Sequence, residues 1–550
     1  MITAWAPKLT VLQSCAMGIG LLGKLDKISA KFPDKAAFIF RHGSSWETLT
    51  YKQLLDHSDR LAGGLRMLGI KPGVHAALML PPGIDFFALA FAMIKTGIVP
   101  ILVDPAIGFH NVTRCFEESK PEIYFGSPVT HLLRTLYGWG KETIKVNVTT
   151  SNLGGLTLEH IRNSATSPCT PLELSDTSPA AIIYTSGSTG LPKGAVYTQA
   201  NFAAQIDMLT ETFHICQDEI DLPAFPLFAL IDCLVGVTAI VPDMNFPAPA
   251  KVNPMRVVDA INEFGVNNMF ASPIMLDRLA AYCLSHDTKL TSLKRVITAG
   301  APAPVSVLEK FRKLLPRDAH LFGIYGATET LPVSVIESRE VLTETRYKSE
   351  QGAGVCIGRP VKGSDVHIIA IGDSPIPEWS DSLELPVNSV GEITARGPAV
   401  TSSYIDRPQA DRLAKIKDGD EIVHRMGDLG MFDDQGRLWY CGRKSQRVET
   451  SKGTLFTEQI EGIFNAHPLV YRTALVAVNN EPVLWIQLGP QARNVDRVKI
   501  KQGLLALGAK HDQAAHIKTF LFHSRFPTDV RHNSKIIREE LTMLAQKSLT

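Results

Sequence analysis

The amino-acid sequence predicts a mixed α/β fold of at least two domains, with layers of parallel strands in its first part and a strand-rich part after about residue 360. Three observations lead there. A chain of 550 residues is too long for one hydrophobic core. Short apolar runs alternate with stretches of helical periodicity, the pattern of parallel strands covered on both faces. Beyond about residue 360 the helical stretches give way to alternating pieces bounded by turn residues, such as 365–371 and 391–396.

Residues 51–68 repeat apolar side chains at helical spacing, and the turn 69–73 leads into the short apolar strand 76–80. The most apolar stretch, 86–103, contains Lys95, Gly97 and Pro100, so it reads as a buried helix followed by a buried strand rather than a membrane span. Further strands are expected at 100–104, 122–125, 180–184 and 295–299, with another apolar run at 320–324. Thr198 is placed to cap a helix whose Phe202, Ile206 and Leu209 form one stripe. No internal repeat or low-complexity tract interrupts the chain.

Composition narrows the function. Apolar residues make up 45% and charged residues 20%, as in an ordinary soluble protein. The 56 basic and 55 acidic side chains nearly cancel, which leaves no electrostatic footprint for nucleic acid, so any bound anion must be held locally. Eight cysteines lack CxxC or zinc-ligand spacing and read as reduced thiols of a cytoplasmic protein. The amino terminus lacks the features of a secretory signal. Peripheral attachment to a membrane stays open, although no basic amphipathic helix announces it.

The strongest local signal is 184–194, YTSGSTGLPKG, directly after the buried strand 180–184. Its glycines Gly187, Gly190 and Gly194 let backbone amides converge, the hydroxyls of Thr185, Ser186, Ser188 and Thr189 add donors, and Lys193 adds positive charge. Such a loop is suited to wrap a polyphosphate. No Gly-Lys-Ser/Thr triplet closes it, which excludes a Walker A loop. Further along, residues 325–329 (YGATE) offer a tyrosine face for a base and a carboxylate, Glu329, for Mg²⁺, which takes one or two carboxylates plus phosphate oxygens. Asp428, read as lying in a short turn, is suited to accept ribose hydroxyls. Ile537, Leu541 and Leu544 mark an amphipathic helix with Lys535 at its amino end, where a cation opposes the helix dipole, and local rules of this kind are most often broken where function demands it.

With these motifs in order, the chain resembles the adenylate-forming superfamily of acyl-CoA synthetases, luciferases and adenylation domains over nearly its whole length. The resemblance rests on 184–194, on 325–330 (YGATET), on 427–430 (GDLG), on Gly442-Arg443 and on the lysine of 532–538 (HNSKIIR). It implies ATP and Mg²⁺ as cofactors and a large amino-terminal domain, 1–441, followed by a small mobile α+β lid, 442–550, that carries the catalytic lysine. It also implies that Gly300, Ala301 and Pro302 line the adenine slot with Tyr325, Gly326 and Ala327, that Thr328 orients phosphate, that Glu329 binds the metal, and that Asp428 and Arg443 hold the ribose. Lys535 is then the cation that stabilises the pentacovalent transition state.

Departures from the general pattern narrow the subfamily. Gln199 stands where a histidine is usual, Ala229 replaces a histidine or aromatic gate, Ser445 or Gln446 occupies the hinge-aspartate position, and Ser451-Lys452 replaces the paired glycines that let a pantetheine arm pass. Pro527 lies eight residues before Lys535 and Ser534 stands where glycine is usual. The segments FPLFAL, YGATETLPV, GVCIGRP and VRHNSKI, between 225 and 538, resemble the β-lactone synthetases of the bacterial long-chain olefin pathway. That likeness implies adenylation of a long-chain 2-alkyl-3-hydroxy acid followed by attack of its own β-hydroxyl, without CoA. It also implies partnership with a reductase and an α/β-hydrolase-like enzyme. An attacking group tethered to its target reaches effective concentrations on the order of 10⁵ M. His532 and Asp529 are candidates for the base. Two alternatives remain at this stage: a long-chain acyl-CoA synthetase with an altered tunnel, and a nucleotide-binding scaffold without catalysis. Retention of Lys193, Glu329, Asp428 and Lys535 speaks against the second.

Overall fold

The computed structural model describes residues 20–43, 45–151, 155–165, 171–185, 191–492, 495–528 and 535–549. A seven-stranded sheet lies in the first third of the described chain. Its strands Leu156–Thr157, Val146–Thr149, Ile123–Gly126, His75–Met79, Val99–Leu102 and Pro179–Thr185 run parallel in that spatial order, and Lys193–Thr198 closes the edge antiparallel. The helix Tyr51–Met67 leads into this sheet from Ser45–Thr50 of another, and Ile84–Thr96 is the crossover between the parallel strands His75–Met79 and Val99–Leu102. The first begins on a reciprocal capping box between Thr50 and Gln53, which satisfies two amide donors that the helix itself cannot.

Lys95 shows why an apolar stretch with one charge can still be core. It is 1% exposed, and its ammonium group meets Asp59 Oδ1 at 2.5 Å and Ser58 Oγ at 3.0 Å on the neighbouring helix. A buried charge is tolerated when it is paired and hydrogen-bonded. Among the described residues no helix is long and apolar enough to cross a membrane.

A second sheet of 14 strands is parallel in one part and antiparallel in the other, with Ser45–Thr50 added antiparallel at the edge beside Ala36–His42. Its parallel half holds Ala36–His42, Thr238–Val241, Ile220–Pro223, Asn268–Ala271, Arg295–Thr298 and His320–Ala327. At His320–Ala327 the chain reverses into Thr330–Glu337, and from there the pairing is antiparallel through Val355–Pro360, Leu438–Arg443, Glu421–Phe432, Gly391–Arg396 and Asp365–Ile369. The change of pattern after residue 360 is thus the antiparallel half of this sheet. Two apolar cores flank the parallel half, one containing Ile297, Ile324 and Phe270 and the other Val296, Leu321 and Met269. That division follows from strand alternation, which sends neighbouring side chains to opposite faces.

After Arg443 the chain builds a three-stranded sheet of Val470–Val478, Glu481–Leu488 and Thr519–Phe522, packed by helices Thr457–Asn465, Arg497–Gly508 and Arg538–Leu549. It has cores of its own, one around Ile460, Phe464 and Leu484 and one around Trp485, Leu541 and Ala545. The mixed α/β architecture expected from the sequence is present, with parallel layers, a strand-rich portion and a small carboxy-terminal α+β unit.

Candidate active site

One continuous cavity of about 2630 Å³ runs between the sheets and the carboxy-terminal unit, and the separate motifs meet on its walls. The first wall is the hairpin that joins the two halves of the large sheet. Tyr325 and Ala327 close the strand His320–Ala327, Thr330 opens the next, and Thr328 and Glu329 form the turn. Gly326 is required here, because a Cβ at that position would lie 2.8 Å from the Thr330 carbonyl oxygen. Tyr325 and Ala327 pack against the apolar cluster of Val333, Ile357 and Met426, which fixes the tyrosine ring as part of the wall.

Asp428 faces this wall. The expected short turn is instead the middle of the strand Glu421–Phe432, paired directly opposite Arg443 of Leu438–Arg443. The cause is Gly427, whose φ of +67° lets the strand bulge without ending. The Tyr325 hydroxyl donates to Asp428 Oδ2 at 2.8 Å, and Arg443 Nη1 meets Asp428 Oδ1 at 2.9 Å. Burial pushes the Asp428 carboxyl above the usual range, while Arg443, the Tyr325 hydroxyl and Lys535 pull it back. Asp428 in turn raises Arg443 and so keeps the guanidinium charged.

Lys535 lines the same cavity, exposed, and stands near enough for its charge to act on Asp428. Its placement differs from the expectation that it begins a helix. The helix starts at Arg538, and Lys535 lies in the extended segment before it, where Ile536 bridges to Thr528. The dipole penalty inferred from the sequence therefore does not arise. The buried face of that helix carries Arg538, Leu541 and Ala545, whereas Leu544 is 38% exposed. Arg538, three residues after the lysine, pairs with Glu461 at 2.6 Å and donates to Gln446 Oε1 at 3.2 Å. The residues that follow Arg443 are held by ion pairs. Lys444 pairs with the buried Glu392 at 3.0 Å and Arg447 with Asp373 at 3.0 Å.

Gly300, Ala301 and Pro302 follow the strand Arg295–Thr298 and line the cavity beside Tyr325, and Gly300 takes a φ of +91° that favours glycine. On another wall, Thr185 pairs with Lys193 across the antiparallel strands Pro179–Thr185 and Lys193–Thr198. The described residues on either side of the glycine-rich segment are thus antiparallel strands, whereas a Walker A loop opens a helix. Ser186, Gly187, Ser188, Thr189 and Gly190 lie outside the described residues, as do His532 and Asp529. The Tyr197 hydroxyl donates to the Thr328 carbonyl, joining these strands to the Thr328–Glu329 turn.

Glu329 is 9% exposed, and its Oε1 accepts a 2.6 Å hydrogen bond from the Tyr404 hydroxyl. Lys193 Nζ stands 5.3 Å and Lys415 Nζ 5.4 Å from the centre of the Tyr404 ring. Lys415 is buried and donates to the Thr401 carbonyl and to Thr401 Oγ1. Burial brings its pKa down to about 8, with Glu329 and Asp411 opposing the change. Sequence reasoning missed Tyr404, Lys415 and Tyr197, because nothing in their local sequence distinguishes them from strand residues. Among the described residues no group of three or more His, Cys, Asp or Glu gathers to cage a cation. A single carboxylate, linked through Tyr404 to Lys193, fits Mg²⁺, which takes one or two carboxylates together with phosphate oxygens.

The remaining wall is apolar. Phe202, Leu227, Phe228, Ile231, Phe246 and Phe270 line it, with Phe228 stacked on Phe270 at 3.8 Å. Ala229, singled out as a gate position, is 1% exposed within the core and does not line the cavity, because its neighbours Leu227 and Phe228 on the helix Pro226–Val235 do. Gln199 is likewise buried under the capping box of Thr198 and Asn201. Ser451 and Lys452 sit exposed in the turn between Val448–Thr450 and Gly453–Leu455, away from the cavity lining.

Comparison with known proteins adds to this geometry. The pattern of the family described as AMP-binding enzyme matches residues 25–405. An olefin beta-lactone synthetase from Xanthomonas campestris pv. campestris is 44% identical, covering 90% of this chain and 91% of its own length. A protein of the same name from Stenotrophomonas maltophilia is also 44% identical, over 91% and 92%. Among solved structures, O-succinylbenzoate coenzyme A synthetase from Bacillus subtilis in complex with ATP and magnesium ion shares the fold at TM-score 0.73 and 19% identity, over 94% of this chain and 98% of that one.

Proposed function

Because this chain belongs to the AMP-binding enzyme family, we propose that it uses ATP to activate a long-chain 2-alkyl-3-hydroxy acid as its acyl-adenylate and then closes that adenylate to a β-lactone. The observation that carries the first step is the convergence of Lys535 on the Tyr325, Asp428 and Arg443 cluster.

The acid's carboxylate oxygen attacks the α-phosphorus, the bond to the β-phosphate breaks, and pyrophosphate leaves. Tyr325 with residues 300–302 holds the adenine, and the Asp428 carboxylate, oriented by Tyr325 and Arg443, accepts the ribose hydroxyls. Residues 185–190 and Lys193 hold the phosphates, and Thr328 orients the transferred group. Lys535 places positive charge over the attacking carboxylate and α-phosphate, where negative charge grows, which lowers the barrier electrostatically. Glu329 would hold Mg²⁺, which when bound would supply positive charge against that of the leaving pyrophosphate.

In the second step the substrate's β-hydroxyl oxygen attacks the acyl carbon, the acyl–phosphate bond breaks, and AMP departs. A base takes the hydroxyl proton, with His532 and Asp529 the candidates. The acyl chain lies along Phe228, Ile231 and Phe270, whose apolar wall suits a hydrocarbon. No second substrate is needed for this step. We take 442–550 as a lid, with its boundary near Gly442. The chemistry also calls for a reductase to supply a β-hydroxy acid and a decarboxylating enzyme to consume the lactone.

The test is mass spectrometry of products from ATP, Mg²⁺ and a 2-alkyl-3-hydroxy acid with and without CoA. Lactone and AMP in equal amounts without CoA are expected. Thioester formed only with CoA, or untouched acid, overturns the proposal.

A further inference from the structure

We propose that Tyr404 is a positioning residue that sets the Glu329 carboxylate for the divalent cation and ties it to Lys193. The inference rests on the reading of Glu329 as the carboxylate that meets the metal.

Four contacts make Tyr404 a strut between the two halves of the nucleotide site. Its hydroxyl donates to Glu329 Oε1 at 2.6 Å, a charge-assisted bond that engages one carboxylate oxygen. Its ring stands 5.3 Å from Lys193 Nζ, within cation–π range. Its backbone bridges to Ala195, and the next residue, Ile405, donates to the Gly194 carbonyl at 2.8 Å, both on the strand that carries Lys193. Its amide donates to Asp411 Oδ1 at 2.8 Å, which fixes the backbone from the other side.

Glu329 is held at its backbone by the same segment. The Thr401 amide donates to the Glu329 carbonyl at 2.9 Å, and Thr401 is itself bound by Lys415. Both the main chain and the side chain of Glu329 therefore take their position from 401–404. A carboxylate with one oxygen fixed in this way has a defined direction for its remaining lone pairs, and a hard cation of strict geometry rewards that.

The prediction is specific to metal-dependent nucleotide binding. Titration calorimetry with α,β-methylene-ATP, in Mg²⁺ and in EDTA, measures the gain in affinity that Mg²⁺ confers, and AMP in EDTA measures binding that needs no metal. Tyr404→Phe keeps the ring and removes the hydroxyl. It is expected to lose about tenfold of the Mg²⁺-dependent affinity while AMP binds as in the wild type, the size of one hydrogen bond to a charged group. Glu329→Gln should lose the same gain, and the double variant should lose no more than Glu329→Gln alone.

If Glu329→Gln loses the gain and Tyr404→Phe retains it, or if the two losses add, the proposal is overturned while the role of Glu329 stands. A full Mg²⁺ gain in Glu329→Gln removes the role of Glu329 and the proposal with it. Equal loss of AMP and Mg²⁺–analogue binding in Tyr404→Phe assigns the tyrosine to general packing and also overturns it.

Discussion

Tyr325 and Asp428, 103 residues apart in the chain, are joined by a 2.8 Å hydrogen bond across the cavity, and the acid is paired from its other side by Arg443. Each of the three therefore depends on the others for its orientation. Asp428→Asn keeps an acceptor for the tyrosine but removes the charge that faces Arg443. Asp428 is buried but Arg443 is 31% exposed, so the loss is that of a partly solvated charged hydrogen bond, about 1–3 kcal/mol. AMP affinity measured by calorimetry should fall by about tenfold or more. An unchanged affinity would show that the acid does not serve the nucleotide.

Lys535→Ala removes a cation that the proposed mechanism uses only as charge develops. Exchange of labelled pyrophosphate into ATP should slow by about 10²–10³-fold, the scale of losing one electrostatic contact to a transition state, with little change in the KM for ATP. A large rise in KM with kcat retained would move the lysine to ground-state binding.

Phe228→Ala opens the apolar wall where Phe228 stacks on Phe270. The KM for a long-chain acid in the exchange assay should rise by about tenfold, in line with the area lost, while AMP affinity stays as it is. A chain-length profile identical to the wild type would place the hydrocarbon elsewhere.

Asp221 and Asp232 form a buried pair behind that wall, on the strand Ile220–Pro223 and the helix Pro226–Val235, with Asn268 donating to Asp221 at 2.7 Å. Burial pushes Asp221 up to about 6 and, with the neighbouring Asp221 charge, Asp232 well above the usual range. Acids that hold protons more tightly folded than unfolded stabilise the fold while protonated, and they lose that contribution as pH rises through the folded pKa. Their contribution is thus full below about pH 4 and declines through about pH 6 and beyond. Thermal melting of the wild type should fall between pH 5 and pH 8 more steeply than that of Asp232→Asn. Parallel slopes would show that the pair does not titrate with folding.

Much of the fold was legible because its signals are local. The helix expected over 51–68 forms as Tyr51–Met67 on a cap made by residues three apart, and the strand expected over 180–184 forms as Pro179–Thr185. Asp428 was misplaced for a local reason too. It was read as a short turn, yet opposite Arg443 and beside Gly427 the chain only bulges within a strand. The start of the last helix escaped because Arg538 is fixed by Glu461, 77 residues earlier, a pairing that no spacing rule reports. Tyr404 and Lys415 were invisible for the same reason, since their significance lies wholly in what long-range pairing brings beside them.

The hairpin at Thr328 and Glu329 is also where the parallel and antiparallel halves of the large sheet are stitched together. Ile324, on one side of the stitch, belongs to the core of the first half, and Val333, on the other, to that of the second. Both cores therefore end on the same two-residue turn, and a substitution that shifts either strand at Ile324 or Val333 acts on the backbone that carries Glu329.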